Sequence, residues 1–390
     1  MRILIACDTY YPHVNGASYF TQRLAHYLQK DGHNIAVIAP STQLTKTKGI
    51  VQDILVYGVG SFPVPFYKGF RFTLFPFVIR NEVRRVIEEF KPDVIHIQSH
   101  FFIARTALAI GNEKHIPVVA TNHFMPENLV HYFHLPTFID HMIVKESWRG
   151  FVKVFNKADH LTAPTKSAAD LVRGDLSKPM EAVSCGIDLS LFKTENNGGY
   201  LMDRYHIPKD KLILFYVGRL DKEKNVDQAI RAMKEALKEV DFHFVIGSSG
   251  AEKKNLEALS HELGLDSHIT FTGFIPNEDL PHMYTIADAF ISGGIAELQC
   301  IVAMEAMASG LPVIAVNAVA LPELVEDGYN GFLYENGNIM ELADKMKRLF
   351  RDENLRKEMG QHSLEKIAKH DIHKTIGRFE EIYENLIATK

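Results

Sequence analysis

Short apolar runs rich in β-branched residues alternate with amphipathic helical stretches along the whole 390-residue chain, and this alternation constrains the fold more than any other feature. Runs at 2–7, 34–40, 54–59, 94–99, 118–122, 160–165 and 180–185 read as strands. The theme repeats at 212–218, 242–248, 269–274, 289–293, 312–316 and 331–335. Helical patterns at 17–31, 79–90, 225–238, 252–263, 278–287 and 338–351 lie between them. Strands in βα order pair in parallel and are covered by helices on both faces. The expected class is therefore α/β. A chain of 390 residues has the length of two domains. The polar stretch Lys193–Gly199 reads as the linker between them. The expected division is 1–195 and 200–370. A closing segment at 371–390, with Ile376, Phe379, Ile382, Tyr383 and Leu386 at helical spacing, is expected to return to the first domain.

Hydrophobic residues at 46% and charged residues at 23% give a soluble protein able to bury a core. Cys7, Cys185 and Cys300 lie far apart, make no C-x-x-C pair and are odd in number, which points to a reducing, cytoplasmic compartment. The apolar run after Met1 is too short for a signal peptide, and no stretch nears the ~18 residues that span a bilayer. The net charge of −5 divides into +4 for residues 1–198 and −9 for the rest. An anionic surface facing one domain fits that asymmetry, and so does ordinary drift between domains. No nucleic-acid partner is expected.

Open α/β sheets bind ligands beyond the carboxyl ends of their strands, so two facing sheets would put two rows of loops into one cleft. The first strand ends in Asp8-Thr-Tyr-Tyr-Pro-His-Val-Asn-Gly16, where glycine at a helix start lets backbone approach an anion. A bare βα turn would look the same. The first strand of the second half ends in Gly218-Arg219-Leu-Asp-Lys-Glu-Lys224-Asn225. Two cations beside a helix start suit a diphosphate, whose charge grows as it departs from a sugar. A solvated charged loop is the competing reading, since Asp221 and Glu223 are interleaved. In 289–316, Glu297 lies in a loop after a strand and Glu305 lies eight residues on, inside the next helix. Loop amides between them can hold phosphate. The helical carboxylate can accept ribose hydroxyls, and the loop carboxylate can grip a sugar beyond the diphosphate.

That stretch resembles the E-x7-E motif of the retaining glycosyltransferases of family 4. The Gly-Arg-Leu-x-x-Glu-Lys-Asn run, the early Tyr-Pro-x-x-x-Gly run and Val183-Ser-Cys-Gly186-Ile-Asp188 resemble the same family, in order along the chain. The resemblance implies the GT-B fold, two facing Rossmann-like domains with an interdomain cleft. It implies donor contacts from Gly16, Arg219, Lys224, Phe274, Ile275, Glu297, Gln299, Cys300, Ile301, Val302 and Glu305. Glu305 would bind ribose, Glu297 the donor sugar, and Arg219 and Lys224 the diphosphate. Backbone near Phe274 and Ile275 would read the base. His123, in Thr121-Asn-His-Phe124, matches the family's histidine near the donor sugar, and His123, Arg219, Lys224 and Glu297 form the expected catalytic set. The sequence departs from the family at Cys300, which stands where a glycine is usual, and at Gly247-Ser-Ser-Gly250, which replaces a Gly-acid-Gly turn. Gln299 fits a variant seen in lipid-directed members.

The segment 61–77 is unusually aromatic and continues through further arginines. Rings with interleaved cations suit a membrane interface, which nominates Phe66, Tyr67, Lys68, Phe70, Arg71, Phe72, Arg80 and Arg84 as an acceptor side. A second segment, Phe138–Phe155, carries Met142, Trp148 and Phe151 beside Lys145, Arg149 and Lys153. Packing in the domain core is the alternative for both. The expected activity is retaining transfer of a hexose, glucose from UDP-glucose, to a membrane lipid such as diacylglycerol, ahead of mannose from GDP-mannose to a phosphatidylinositol-type lipid. No cofactor or metal is expected, and the protein is expected to sit peripherally on the inner face of the cell membrane. A nucleotide-sugar 2-epimerase and a catalytically silent nucleotide-sugar-binding protein are the other classes. A nicotinamide dehydrogenase is disfavoured, because no G-x-G-x-x-G follows the first strand.

Overall fold

The computed structural model describes residues 1–12, 15–64, 71–73, 75–126 and 137–390. The chain forms two compact units, Met1–Cys185 with His373–Lys390, and Gly186–Ile372.

In the first unit the strands are β1 (Arg2–Ala6), β2 (Asn34–Pro40), β3 (Thr47–Val51), β4 (Ile54–Val59), β5 (Phe62–Pro63), β6 (Arg71–Phe72), β7 (Val94–Ile97), β8 (Val118–Thr121), β9 (His160–Ala163) and β10 (Met180–Ala182). Eight of them make one sheet in the order β10-β9-β8-β7-β1-β2-β4-β3, parallel except for the β3–β4 pair. Neighbouring side chains point to opposite faces, so each central strand feeds two cores. Leu4, Ala6, Ile38, Ile95, Ile97 and Ala120 pack with helices Pro76–Phe90, Phe102–Glu113 and Thr137–Phe155. On the other face, His96 donates or accepts at Tyr383 Oη (2.6 Å) and Thr121 Oγ1 (2.6 Å), and its ring lies 5.1 Å from Phe379. Phe379 and Tyr383 belong to the last helix, Ile372–Thr389, and are fully buried. Phe20 of helix Gly16–Lys30 meets Phe379 at 6.0 Å. That helix starts where Asn15 and Ser18 cap each other reciprocally, which satisfies two otherwise orphaned amides.

In the second unit β11 (Leu212–Val217), β12 (Phe242–Gly247), β13 (Ile269–Gly273), β14 (Ala289–Ser292), β15 (Val313–Val316) and β16 (Gly331–Tyr334) form an all-parallel sheet in the order β13-β12-β11-β14-β15-β16. Apart from the edge strand β13, which is only partly buried, the strands are buried almost throughout, which explains their apolar runs. Helices Val226–Ala236 and Ile339–Arg351 each turn one strongly apolar face to this core, with Ile230, Met233, Met346 and Leu349 fully buried.

The division falls at Cys185, ahead of the polar stretch read as a linker. Residues after it are already committed to the second unit: Ile187 N–H donates to His370 O (2.8 Å), Ile372 N–H donates to Ile187 O (2.9 Å), and Phe192 is buried 5.8 Å from the Tyr284 ring. The apolar run 180–185 yields strand only as far as Ala182, and the pattern at 278–287 yields helix only over Leu280–Tyr284. Strand β3 is an addition at the sheet edge, partly exposed along its length. Among the described residues, no helix is long and apolar enough to cross a membrane.

Candidate functional site

In the second sheet the strand order reverses between β11 and β14, so their outgoing loops diverge and leave a crevice at the carboxyl edge. These two loops are Gly218–Asn225 and Gly293–Cys300. They carry Arg219, Lys224 and Glu297. Lys224 Nζ donates to Glu297 Oε1 at 2.6 Å, with both side chains mostly buried. Burial alone would lower the Lys224 ammonium, but the Glu297 charge and hydrogen bond outweigh it and hold its pKa above the ordinary value. The Arg219 guanidinium is gripped by Asp221 and Glu223, the latter at 3.1 Å. Glu223 is 3% exposed, and its Oε2 has no hydrogen-bond partner among the described residues.

Glycines set how closely these loops pack. A Cβ on Gly293 would lie 2.8 Å from Lys224 O, and Asn225 Nδ2 donates to Gly293 O at 2.9 Å. On the next loop, a Cβ on Gly250 would sit 2.3 Å from Leu220 O, while Leu220 N–H donates to Ser249 O and Glu252 N–H to Leu220 O. The Gly247-Ser-Ser-Gly250 turn thus props the Arg219 loop from behind. Cys300, just before helix Ile301–Ala308, has φ 62° and ψ 72°, the left-handed region that favours glycine. Its thiol is buried 3.4 Å from Ser292 Oγ, and burial pushes its pKa up to about 12. Within the helix, Glu305 is 6% exposed and accepts from Tyr284 Oη at 2.9 Å. Gln299 is buried, Ile301 and Val302 are half-buried, Ile275 is buried, and Phe274 is exposed. Helix N-terminal amides, the cations Arg219 and Lys224 and the carboxylates Glu297 and Glu305 thus gather at one sheet edge, with Asp221 and Glu223 beside Arg219, a set able to hold a phosphorylated, hydroxyl-bearing ligand.

In the first sheet the reversal falls between β1 and β7. His123 follows β8, with Nε2 2.9 Å from Gln98 Oε1 and its ring 4.6 Å from Phe20. Burial lowers its pKa to about 3, so the imidazole is neutral at physiological pH. Gly16 has open space where a Cβ would be. Sequence reasoning passed over four groups here. Tyr10 Oη, Gln98 Nε2, His100 Nδ1 and Asn122 Nδ2 are buried without a hydrogen-bond partner among the described residues. All four follow β1, β7 or β8 directly, and each orphan costs about 1–3 kcal/mol unless a ligand or water satisfies it. Tyr10 and Asn122 lie in stretches singled out above for Gly16 and His123, but nothing in the sequence marks Gln98 or His100.

Of the nominated acceptor residues, Phe66, Tyr67, Lys68 and Phe70 lie outside the described residues. Phe72 is described only as backbone in β6. Arg71 is turned to its own domain, with Nε donating to Ser61 Oγ (2.8 Å) and Nη2 to Ser61 O (2.7 Å). Arg80 and Arg84 converge on Glu113. Next to them Phe75, Phe77 and Val78 are exposed. In helix Thr137–Phe155, Phe151 and Phe155 are core, whereas Phe138 and Met142 are exposed on a stripe that continues through Lys145, Arg149 and Lys153. A groove of about 300 Å³ between this helix and Phe102–Glu113 is lined by Arg105, Lys153 and Lys157 with no acid.

The chain matches the glycosyltransferase family 4 model over residues 14–191 and the glycosyl transferases group 1 model over residues 201–366. It is 29% identical to the alpha-monoglucosyldiacylglycerol synthase of Streptococcus pneumoniae over 86% of this chain and 75% of that one. It is 25% identical to a GDP-mannose-dependent alpha-mannosyltransferase of Corynebacterium glutamicum over 92% of this chain and 83% of that one. Its fold superposes on a sucrose-phosphate synthase from Thermosynechococcus elongatus with a TM-score of 0.82, at 17% identity and with all of both chains covered. The chain is thus a glycosyltransferase of the GT-B fold, a hexosyltransferase by class. It belongs to the family 4 glycosyltransferases.

Proposed function

We propose that the enzyme transfers a glucosyl residue, with retention of configuration, from UDP-glucose to a membrane lipid such as diacylglycerol. The observation that carries the donor half is the pairing of Lys224 with Glu297 at the switch point of the second sheet, one helical segment from Glu305. Glu305 accepts from the ribose hydroxyls, and the amides opening helix Ile301–Ala308 meet phosphate. Arg219 and Lys224 offset the charge that grows on the diphosphate as the bond from C1 to its oxygen breaks. The acceptor hydroxyl bonds to C1 from the same face and passes its proton to a diphosphate oxygen. Neutral His123 serves as a hydrogen-bonding group toward the donor sugar rather than as a charged acid. Backbone near Phe274 and Ile275 reads the base.

The acceptor half rests on the likeness to the alpha-monoglucosyldiacylglycerol synthase of Streptococcus pneumoniae and on surface chemistry. Exposed Phe75, Phe77, Phe138 and Met142 suit insertion between headgroups, and Lys145, Lys153, Lys157 and Arg105 suit their phosphates. This would hold the enzyme peripherally on the inner face of the cell membrane. The buried orphans Tyr10, Gln98, His100 and Asn122 suit a hydroxylated acceptor headgroup. The Corynebacterium glutamicum relative favours a second reading, mannose from GDP-mannose. The test is a panel of UDP-glucose, UDP-galactose, UDP-N-acetylglucosamine and GDP-mannose, with and without anionic vesicles containing diacylglycerol or phosphatidylinositol. Lipid-dependent nucleotide release with UDP-glucose is expected. Release with GDP-mannose alone selects the second reading, and binding of donor without lipid-dependent release with any of the four refutes the lipid acceptor.

A further inference from the structure

The charges around the second sheet's crevice do not balance in favour of an anion. Besides the exposed Lys222, the cations on these loops are Arg219 and Lys224, and Asp221, Glu223 and Glu297 are three carboxylates bonded to them. A diphosphate arriving at this edge meets cations that are already neutralised, so it gains their full attraction only by displacing a carboxylate. Asp221 and Glu223 cannot leave easily. Both are buried, at 8% and 3% exposure, on the same loop as Arg219, and Ala251 N–H also reaches Asp221 Oδ1 at 3.4 Å. Glu297 is different. It comes from the opposite loop, its side chain is 19% exposed, and Gly294 beside it leaves room, since a Cβ there would stand only 2.8 Å from Oε1.

We infer that Glu297 competes with the nucleoside diphosphate for Lys224, so that it weakens the hold on the product and speeds its release. This rests on the reading of Lys224 as a diphosphate ligand. With an intact nucleotide sugar, Lys224 turns to the diphosphate, and the freed Glu297 carboxylate accepts hydroxyls of the sugar, so its loss of Lys224 is offset. After transfer the sugar has gone. Among the described residues Lys224 is the hydrogen-bond partner of the Glu297 carboxylate, and its re-pairing removes one cation from the diphosphate. The same side chain thus favours nucleotide with sugar over nucleotide without it. A residue that bound only sugar would leave the affinity for sugar-free nucleotide untouched.

The test is calorimetric titration of UDP, with GDP in parallel, into the wild type, Glu297→Gln, Lys224→Met and the double variant. Glu297→Gln should bind the diphosphate about tenfold more tightly, the scale of one charge-assisted hydrogen bond. Lys224→Met should weaken it, and in that background Glu297→Gln should have no further effect. Unchanged or weaker diphosphate binding by Glu297→Gln, while Lys224→Met still weakens it, overturns the inference and leaves the role of Lys224 standing. Tightening that survives in the Lys224→Met background also overturns it, because the effect would then be general repulsion. No loss of affinity in Lys224→Met refutes the underlying assignment itself, and the inference with it.

Discussion

Cys300 occupies a left-handed backbone position that glycine would hold without strain, and the energetic terms of that choice can be estimated. A non-glycine residue there costs about 1–2 kcal/mol. Against this, the buried CH2–SH group contributes about 1–1.5 kcal/mol by its removal from water, and a glycine would add about 0.5–1 kcal/mol of chain entropy to the unfolded state. Cys300→Gly should therefore lie between about 0.5 kcal/mol more stable and about 1.5 kcal/mol less stable than wild type. Cys300→Val keeps the strain, adds a second branch at Cβ and crowds Ser292, so it should cost about 2–3 kcal/mol. The single tryptophan, Trp148, lies in the first unit, so fluorescence reports on the wrong half of the molecule. Scanning calorimetry resolves the transition that contains Cys300. UDP affinity of the glycine variant should stay within about threefold of wild type, because a thiol whose pKa burial has pushed up to about 12 carries no charge at neutral pH. A valine variant as stable as wild type, or a glycine variant losing more than about 3 kcal/mol, would refute the account of strain.

Glu305→Ala should weaken nucleotide binding by about tenfold or more, and Tyr284→Phe, which removes the donor to its carboxylate, should cost about 1–2 kcal/mol of stability with a smaller loss of affinity. Titration and calorimetry separate the two effects. Gly250→Ala forces a methyl group against Leu220 O, so it should destabilise by about 1–3 kcal/mol or more and weaken nucleotide binding through the Arg219 loop, and unchanged affinity would sever that link. Burial holds the imidazole of His123 down to about 3 and those of His100, His243 and His370 to about 4, against an ordinary 6.5. The unfolded chain therefore takes up these protons first, and stability should fall as pH drops from about 6.5 towards 4. Urea midpoints that stay level between neutral pH and about pH 5 would contradict it.

Most strands of both sheets were legible because parallel, doubly covered strands are apolar along their length, as Leu212–Val217 and Val313–Val316 are. Strand β3 was not, since Thr47–Val51 lies on a partly exposed edge and carries no apolar run. The loops bearing Arg219, Lys224, Glu297 and Glu305 could be found because their chemistry is local and their order along the chain resembles a known family. Their settings could not. Nothing near Gly250 in sequence announces that it presses on Leu220, and nothing near Glu305 announces Tyr284. The pairing of Arg80 and Arg84 could not be read either, because their partner, Glu113, is remote in sequence. The packing boundary could not be read for a similar reason: the polarity of Lys193–Gly199 marks exposure, whereas the change of unit by contacts is decided by what Ile187 and Phe192 pack against.

The last helix has a consequence for how the chain is made. Phe379 and Tyr383 complete the core over His96, yet they follow the whole of the second unit in sequence. During synthesis the second unit has all its residues before the first does. The N-terminal sheet must wait with one face uncovered while Gly186–Ile372 emerges and folds. A stop or frameshift after residue 372 would spare the second unit and strand the first. Such a truncated chain should keep its affinity for nucleotide while aggregating through the exposed face of β1, β7 and β8.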